Sequence, residues 1–408
     1  MKIHILAQCY APEDISGAKL ITDLAVDLRQ RFGHEVTVIT TAPNYPFGKV
    51  FPGYRNRIYQ REFLNGVQVI RTWGYISPSK TFWRRILSFG TYSLTAFYGA
   101  LAAGKPDVLI SYSPPLPLGM TASLLKRIWQ VPWILEVVDL YPDAAVAAGI
   151  LHNSWLIHRF TSMERFIYRR ADRISVICDS FFQNLLQKGV PPQKIIPIPI
   201  WGDTQLVCPM SKENVFREKN HIDHKFVLLY AGNMGHTCCL EDVITAAHYL
   251  KDQKDIQFVL VGDGIKRPLL EKMAQENWLD NVTFLPYQSS DLYPQMLAAA
   301  DVGLVTINPR SDLASLPSKV FNIMASARPV LAIAPEESDL AHLVKKGQCG
   351  MVSSPGAPDE LANVILQLRD HQNELERMGM NGRIHLEDRY SREGCVQQFE
   401  NLLMQLNE

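Results

Sequence analysis

The segment SDLASLPSKVFNIMASARPVLA, Ser311 to Ala332, holds the residue with the plainest chemical reading. Pro317 and Ser318 mark a helix start, Pro329 a stop, and Lys319 falls in the first turn. A helix amino terminus offers unpaired amide N–H groups and about half a positive charge, so with Lys319 beside it a diphosphate is neutralised without a metal ion. An ordinary capped helix with an exposed lysine gives the same letters. Three glycine loops point the same way: Gly17 in ISGAK, Gly232, Asn233 and Gly235 in GNMG, and Gly262 and Gly264 in VGDG. Turn glycines are common, so the argument rests on their placement after apolar strands in both halves. In WILEVVDLYPDAA, Glu136, Asp139 and Asp143 follow a strand, where open α/β sheets place ligands. A carboxylate at Asp139 could orient a hydroxyl or stabilise positive charge on a sugar ring; it could equally cap the next helix. The loop TAPNYPFGK adds Asn44 and Tyr45 as sugar contacts, or is a plain proline turn.

The elements that must position these residues repeat as strand, helix, strand. The first half predicts strands near Ile3–Ala7, Glu35–Thr40, Val67–Arg71, Val108–Tyr112, Trp133–Val138, Arg173–Cys178 and Ile195–Ile200. The second predicts them near Val227–Ala231, Gln257–Val261, Val282–Leu285, Val302–Val305 and Val330–Ala334. Helical patterns between them imply parallel sheets. The first helix shows a stripe of Leu20, Ile21, Leu24, Ala25 and Leu28, with Ser16 to cap it and Gly33 to end it. The reading is an α/β chain of two Rossmann-like parallel-sheet domains facing a central cleft. Residues 1–200 form the first domain, 201–224 a proline-marked linker, 225–391 the second domain, and 392–408 a helix packing back toward the first.

The 408 residues carry no net formal charge, yet residues 1–200 hold 22 Lys+Arg against 13 Asp+Glu, and the remainder is equally acidic. Residues 51–100 hold seven basic residues and one acidic, interleaved with aromatics that include Trp83 beside Arg84 and Arg85. Such a face fits anionic lipid headgroups, and a solvated basic surface fits as well. Ile86–Ala103 lacks charge over 18 residues, but Ser88, Gly90, Thr91, Ser93 and Thr95 make it too weakly apolar to be expected to span a bilayer. The opening residues read as a strand and not a leader, because Glu13 and Asp14 follow closely. Seven scattered cysteines without ligand spacing argue for a reducing compartment and against a zinc site. No complete G-x-G-x-x-G or P-loop motif is present, which counts against a dinucleotide oxidoreductase and a P-loop NTPase.

Together, APNYPFGKV, SYSPPLPLG, EVVDLYPDA, YAGNMG, VGDG and LPSKVFNIMA, in that order, resemble the retaining glycosyltransferases of family 4, with their two-domain GT-B architecture. The similarity spans nearly the whole chain and is strongest to bacterial fucosyl- or N-acetylfucosaminyl-transferase-like enzymes of exopolysaccharide and O-antigen assembly. The resemblance implies a hexosyl- or N-acetylhexosaminyl-transferase that needs no metal or other cofactor, with a UDP- or GDP-activated donor. Its diphosphate would lie at Lys319 and the GNMG loop, its base near Leu285, Pro286 and Tyr287, and its ribose near Asn322. Pro317 and Ser318 would line the donor side. Asp139 would act from the first domain, with Asn44, Tyr45 and Asp143 on the acceptor. The implied partners are the nucleotide sugar, a lipid-linked saccharide acceptor and the cytoplasmic membrane face, touched by Trp83, Arg84 and Arg85. Nucleic acid is not among them, and the oligomeric state is open.

The chain departs from that pattern in three places. The family's two glutamates, eight positions apart, correspond to Ala314 and Asn322; its usual arginine and lysine after the GNMG-type strand are replaced by Asn233 and Cys238; and its histidine before Asp139 is missing, with Glu136 nearby. These substitutions keep two other readings open: a nucleotide-sugar epimerase of the same architecture, and a non-catalytic subunit of a glycosyltransferase complex.

Overall fold

The computed structural model describes residues 1–79, 81–309 and 316–407. They fall into two compact units, Met1–Ile200 with Glu393–Glu408, and Trp201–Arg392.

The first unit is built on eight strands: β1 (Lys2–Leu6), β2 (Glu35–Thr41), β3 (Tyr59–Leu64), β4 (Val67–Thr72), β5 (Val108–Ser113), β6 (Trp133–Val137), β7 (Arg173–Val176) and β8 (Ile195–Pro197). Their order is β3-β4-β2-β1-β5-β6-β7-β8, parallel throughout except for β3. The crossovers contain α1 (Ser16–Gln30), α2 (Phe82–Ala103), α3 (Leu116–Trp129), α4 (Asp143–Ala147), α5 (Ser154–Arg170) and α6 (Asp179–Gln187). Every strand predicted for this half is present; β3 is additional. It pairs with β4 through Asn65 and Gly66, both at positive φ, the signature of a two-residue hairpin turn. On α1 the buried stripe is Ala18, Ile21, Leu24, Ala25 and Leu28, so Ala18 takes the place expected of Leu20. Ser16 does not cap this helix; it is its first residue, and Ile15 holds the cap position without a side-chain bond.

The second unit has a six-stranded, wholly parallel sheet of β9 (Phe226–Ala231), β10 (Ile256–Val261), β11 (Val282–Leu285), β12 (Val302–Thr306), β13 (Val330–Ile333) and β14 (Gly350–Ser353), in the order β11-β10-β9-β12-β13-β14. Its helices are α7 (Val215–Asn220), α8 (Leu240–Tyr249), α9 (Arg267–Glu276), α10 (Tyr293–Ala298), α11 (Lys319–Ala325), α12 (Asp339–Gly347), α13 (Pro358–Asp370) and α14 (Gln372–Arg389). The near-continuous apolar runs of β9 and β10 are buried between these helices, as a parallel sheet requires. The last helix, α15 (Arg392–Asn407), sends Glu400 to His34 of the first unit at 2.7 Å.

Residues 201–224 are not the free linker expected from their prolines. They belong to the second unit, and α7 buries Arg217, whose guanidinium bonds Asp301 at 2.6 Å and the carbonyl of Ala299 at 2.9 Å. A buried arginine fully engaged in this way fixes the segment to the start of the interior strand β12.

Two glycines of the second unit are fixed by geometry. Gly262 has φ +139°, and a Cβ there would lie 2.0 Å from the carbonyl oxygen of Gly232; at Gly264, φ +155°, it would lie 2.4 Å from that of Met234. The loops after β9 and β10 therefore pack backbone on backbone. Gly262→Ala is expected to destabilise the fold by roughly 2–4 kcal/mol in urea titration, through clash and strain together. Gly17→Ala, in the open first turn of α1, is expected to leave stability unchanged or raise it by up to about 1 kcal/mol. Equal destabilisation by both changes would contradict the packing argument.

Candidate active site

In the second unit the site grows from the end of β9. Tyr230, buried in the apolar run, turns its hydroxyl to the carbonyl of Asn233 (2.7 Å) and the sulfur of Cys238 (3.1 Å), which pins the following loop. The amides of Gly232 and Met234 are consumed by the carbonyls of Val261 and Asp263. Those of Asn233, Gly235, His236 and Thr237 take no partner among the described residues. Successive free N–H groups in a glycine-bearing turn form an anion-binding concavity.

Lys319 completes it. Its ammonium sits 3.7 Å from the centroid of the Tyr230 ring, and a Cβ on Gly232 would come within 2.9 Å of it. Gly232, at φ +145°, thus leaves the space that the ammonium occupies. No carboxylate pairs with Lys319 among the described residues, and burial pushes its pKa down to about 8. A cation half stripped of water, held by a ring face and lacking a counter-ion, is poised for an anion. The helix it opens differs from the sequence expectation. α11 ends at Ala325, with Ala327 at φ +54° terminating it before Pro329; Ser318 holds the cap position without a side-chain cap bond; and the first turn is tight, with Val320 N–H on the carbonyl of Pro317. Ala314 and the start of that segment lie outside the described residues.

Leu285 ends β11 half-buried, and Pro286 and Tyr287 follow it exposed, an open platform for a flat ring. Asn322 donates from Nδ2 to the Tyr293 hydroxyl at 2.9 Å, which leaves its amide oxygen without a partner among the described residues. Two bases that the sequence reading passed over stand by the same loops. Lys266 donates to the carbonyl of Cys238 (2.8 Å) and pairs with Glu241, and Arg267 donates to the carbonyls of Gly262 (2.6 Å) and Leu285 (3.2 Å) and pairs with Glu271. Their charge is spent on holding the loops. The signal available for them was their position directly after VGDG.

In the first unit the three carboxylates of WILEVVDLYPDAA separate. Glu136 is buried inside the sheet, in register with Tyr112 and Ser175, and burial pushes its pKa up to about 8. Asp143 does not stand free for an acceptor, because it accepts from Lys188 Nζ (2.8 Å) and Asn184 Nδ2 (3.0 Å), and Lys188 also pairs with buried Glu164. Asp139, only part-buried where Glu136 is enclosed by the sheet, keeps a carboxylate with no hydrogen bond among the described residues; burial pushes it up to about 7, while Arg85 acts in the opposite direction.

The charge of Arg85 also acts on Tyr45 and Tyr141, and its guanidinium lies 5.8 Å from the Phe89 ring, which meets Tyr141 edge-on. Arg85 therefore belongs electrostatically to the strand-end cluster. Trp83, 66% exposed, and Arg84, bonded to Ser77 Oγ at 3.1 Å, point elsewhere. Asn44 and Tyr45 are held by a residue not singled out in the sequence: buried Glu13 accepts the amides of Asn44 (2.8 Å), Tyr45 (2.7 Å) and Tyr10 (3.1 Å). The Asn44 side chain donates to the carbonyl of Ala42, and Tyr45 is 44% exposed. Gly17 is helical, not a loop glycine, with open space around it.

Two Rossmann-like parallel-sheet units, with glycine loops at the strand ends and a lysine beside one of them, define a protein of the GT-B class. The sequence matches the model "Glycosyl transferase 4-like domain" over residues 17–201 and "Glycosyl transferases group 1" over residues 211–385. It is 31% identical over 351 residues to the putative colanic acid biosynthesis glycosyl transferase WcaI of Escherichia coli, covering 84% of this chain and 86% of that one. The fold is similar to sucrose-phosphate synthase from Thermosynechococcus elongatus, with TM-score 0.79, 19% identity and coverage of 99% and 98%. It is also similar to Anabaena Alr3699/HepE in complex with UDP-glucose, with TM-score 0.74, 17% identity and coverage of 99% and 100%. The chain belongs to glycosyltransferase family 4, and it is a glycosyltransferase.

Proposed function

We propose that this enzyme moves a hexosyl or N-acetylhexosaminyl unit, with retention, from a UDP- or GDP-activated donor to a lipid-linked or oligosaccharide acceptor in cell-surface polysaccharide assembly. The observation that carries the donor half is the Lys319 ammonium, unpaired among the described residues, beside four loop amides that take no partner among them. The diphosphate of the donor lies there, its base on the platform of Leu285, Pro286 and Tyr287, and its ribose hydroxyls on the oxygen of Asn322. The described cation and amides supply the positive potential that a leaving diphosphate needs, so no metal enters the scheme. Asp139 of the first unit orients the acceptor hydroxyl or faces positive charge on the sugar ring, and the leaving phosphate oxygen takes the acceptor's proton. That HepE is known with UDP-glucose and WcaI is described for colanic acid biosynthesis supports this choice of donor and pathway class. The exposed apolar and basic surface of α2 supports work at the cytoplasmic face of the membrane.

A thermal-shift panel of nucleoside diphosphates and nucleotide sugars tests the donor half. A ligand that binds only the folded state raises the melting point by mass action, with about 2.7 kcal/mol at one hundred times its Kd. One base class, uridine or guanosine, is expected to shift the transition, and nucleoside diphosphate release is expected only when acceptor is present. No shift with any member contradicts the donor assignment; release with a changed sugar stereochemistry and no acceptor favours an epimerase.

A further inference from the structure

In the first unit, α2 is long and apolar enough, by length and composition, to cross a bilayer. Yet Tyr92, Ala96, Gly99 and Ala100 bury one face against β2 and β4, and the Tyr92 hydroxyl donates to the carbonyl of Ile39 at 2.7 Å. A helix seated in this way cannot be surrounded by lipid. Its other face, with Trp83, Leu87, Leu94 and Tyr98, is exposed, as are Met120, Leu124 and Ile128 on α3.

Where α2, α3 and the end of α5 meet, a groove of about 1040 Å³ opens. Leu94, Phe97, Tyr98, Met120, Leu124 and Phe166 give it an apolar floor. Its rim carries Lys126, Arg127, Arg169, Arg170 and Lys194 against one carboxylate, Asp172. Lys126 neutralises Asp172 at 2.6 Å, and Lys194 donates to the carbonyls of Arg169 and Ala171 at the end of α5. Arg170 lies over the Phe166 ring, and the guanidinium groups of Arg127 and Arg169 take no partner among the described residues. An apolar trough with uncompensated arginines along its edge matches an anionic amphiphile in both parts.

We propose that this α2–α3–α5 face is the bilayer-docking surface of the enzyme: lipid chains at the leaflet surface fill the trough, and Arg127, Arg169 and Arg170 take the phosphates of anionic phospholipids. The proposal deepens the membrane reading above and rests on it. Its residues are separate from the donor site in the second unit, which makes the two testable apart.

The experiment is cosedimentation of the full chain with vesicles of phosphatidylcholine alone or mixed with phosphatidylglycerol, at low and high salt. Binding is expected on the mixed vesicles and is expected to weaken with salt. The double variant Arg127→Glu/Arg169→Glu should lower partitioning on the order of 25-fold or more, at about fivefold per basic charge lost near the surface. Tyr98→Gln/Leu124→Gln, which keeps the charge, should lower it at both salt concentrations. All four side chains are exposed, so melting points should hold, and the affinity for UDP or GDP should be unchanged in each variant. Equal binding of the parent protein to both vesicle types, or undiminished binding by both variants, overturns the docking surface while leaving the donor assignment standing. Vesicle binding without any nucleotide binding defeats the donor assignment and leaves the docking surface standing.

Discussion

Lys319→Ala lowers the affinity for the nucleoside diphosphate about 10- to 150-fold, the equivalent of about 1.5–3 kcal/mol for a lost charge-assisted hydrogen bond. The loss is large because no anionic group among the described residues already uses the lysine. Its ammonium meets a ring face and a glycine, and no carboxylate pairs with it among the described residues, so its desolvation is offset only when an anion arrives. Lys319→Arg is not a conservative rescue, because the space over Tyr230 and Gly232 is cut to an ammonium and a planar guanidinium needs more room. Calorimetry on the parent and both variants checks this. The pKa of about 8 adds a sign. In the free protein Lys319 loses its charge as pH rises through about 8, so kcat/KM falls on the alkaline side. Bound diphosphate raises that pKa, so kcat keeps its value to higher pH. Unchanged affinity in Lys319→Ala contradicts the role.

Asp139→Asn is expected to lower kcat on the order of 10²- to 10³-fold with nucleotide affinity unchanged, since an amide keeps the shape and removes the charge that the transition state requires. Burial holds Asp139 at about 7, with Arg85 pulling the other way. In the parent kcat/KM therefore declines as pH falls below about 7, close to tenfold per unit, while that of Asp139→Asn is flat over that range. With the limb from Lys319, kcat/KM is a bell with its top between about 7 and 8. Arg85→Gln removes the charge that favours ionised Asp139 and moves the acid limb to higher pH. An acid limb that survives in Asp139→Asn assigns it to another group.

What was legible in the sequence was whatever local pattern determines. Apolar runs gave the strands of both units other than β3 and β14, and the glycine pairs after β9 and β10 marked the loops that pack on each other. β3 was missed although Asn65-Gly66 carries a hairpin signal, because YQREFL exposes its aromatics Tyr59 and Phe63 and half-buries Gln60 and Glu62, so it shows neither an apolar run nor the usual apolar-inward alternation. The site was less legible, because its partners come from far along the chain. Lys319 was identifiable from its segment, but Tyr230 beneath it looked like one more core residue of FVLLYA. Asp143 looked free beside Asp139, and its commitment to Lys188, 45 residues on, is a tertiary fact. Glu13 entered the sequence reading only as a charge that argues against a leader, yet it accepts three amides that shape the Asn44–Tyr45 turn. Arg85 shared a basic stretch with Arg84, and one helical step turns its charge to Asp139 instead of outward.

The most direct test follows the amide signals of Asn233, Gly235, His236 and Thr237, and the side-chain ammonium of Lys319, by NMR during titration with UDP and with GDP. One nucleotide is expected to shift all five together, saturably, and to slow loss of the Lys319 protons. Shifts confined to other residues, with these five unmoved at saturation, would place the diphosphate elsewhere and contradict the account.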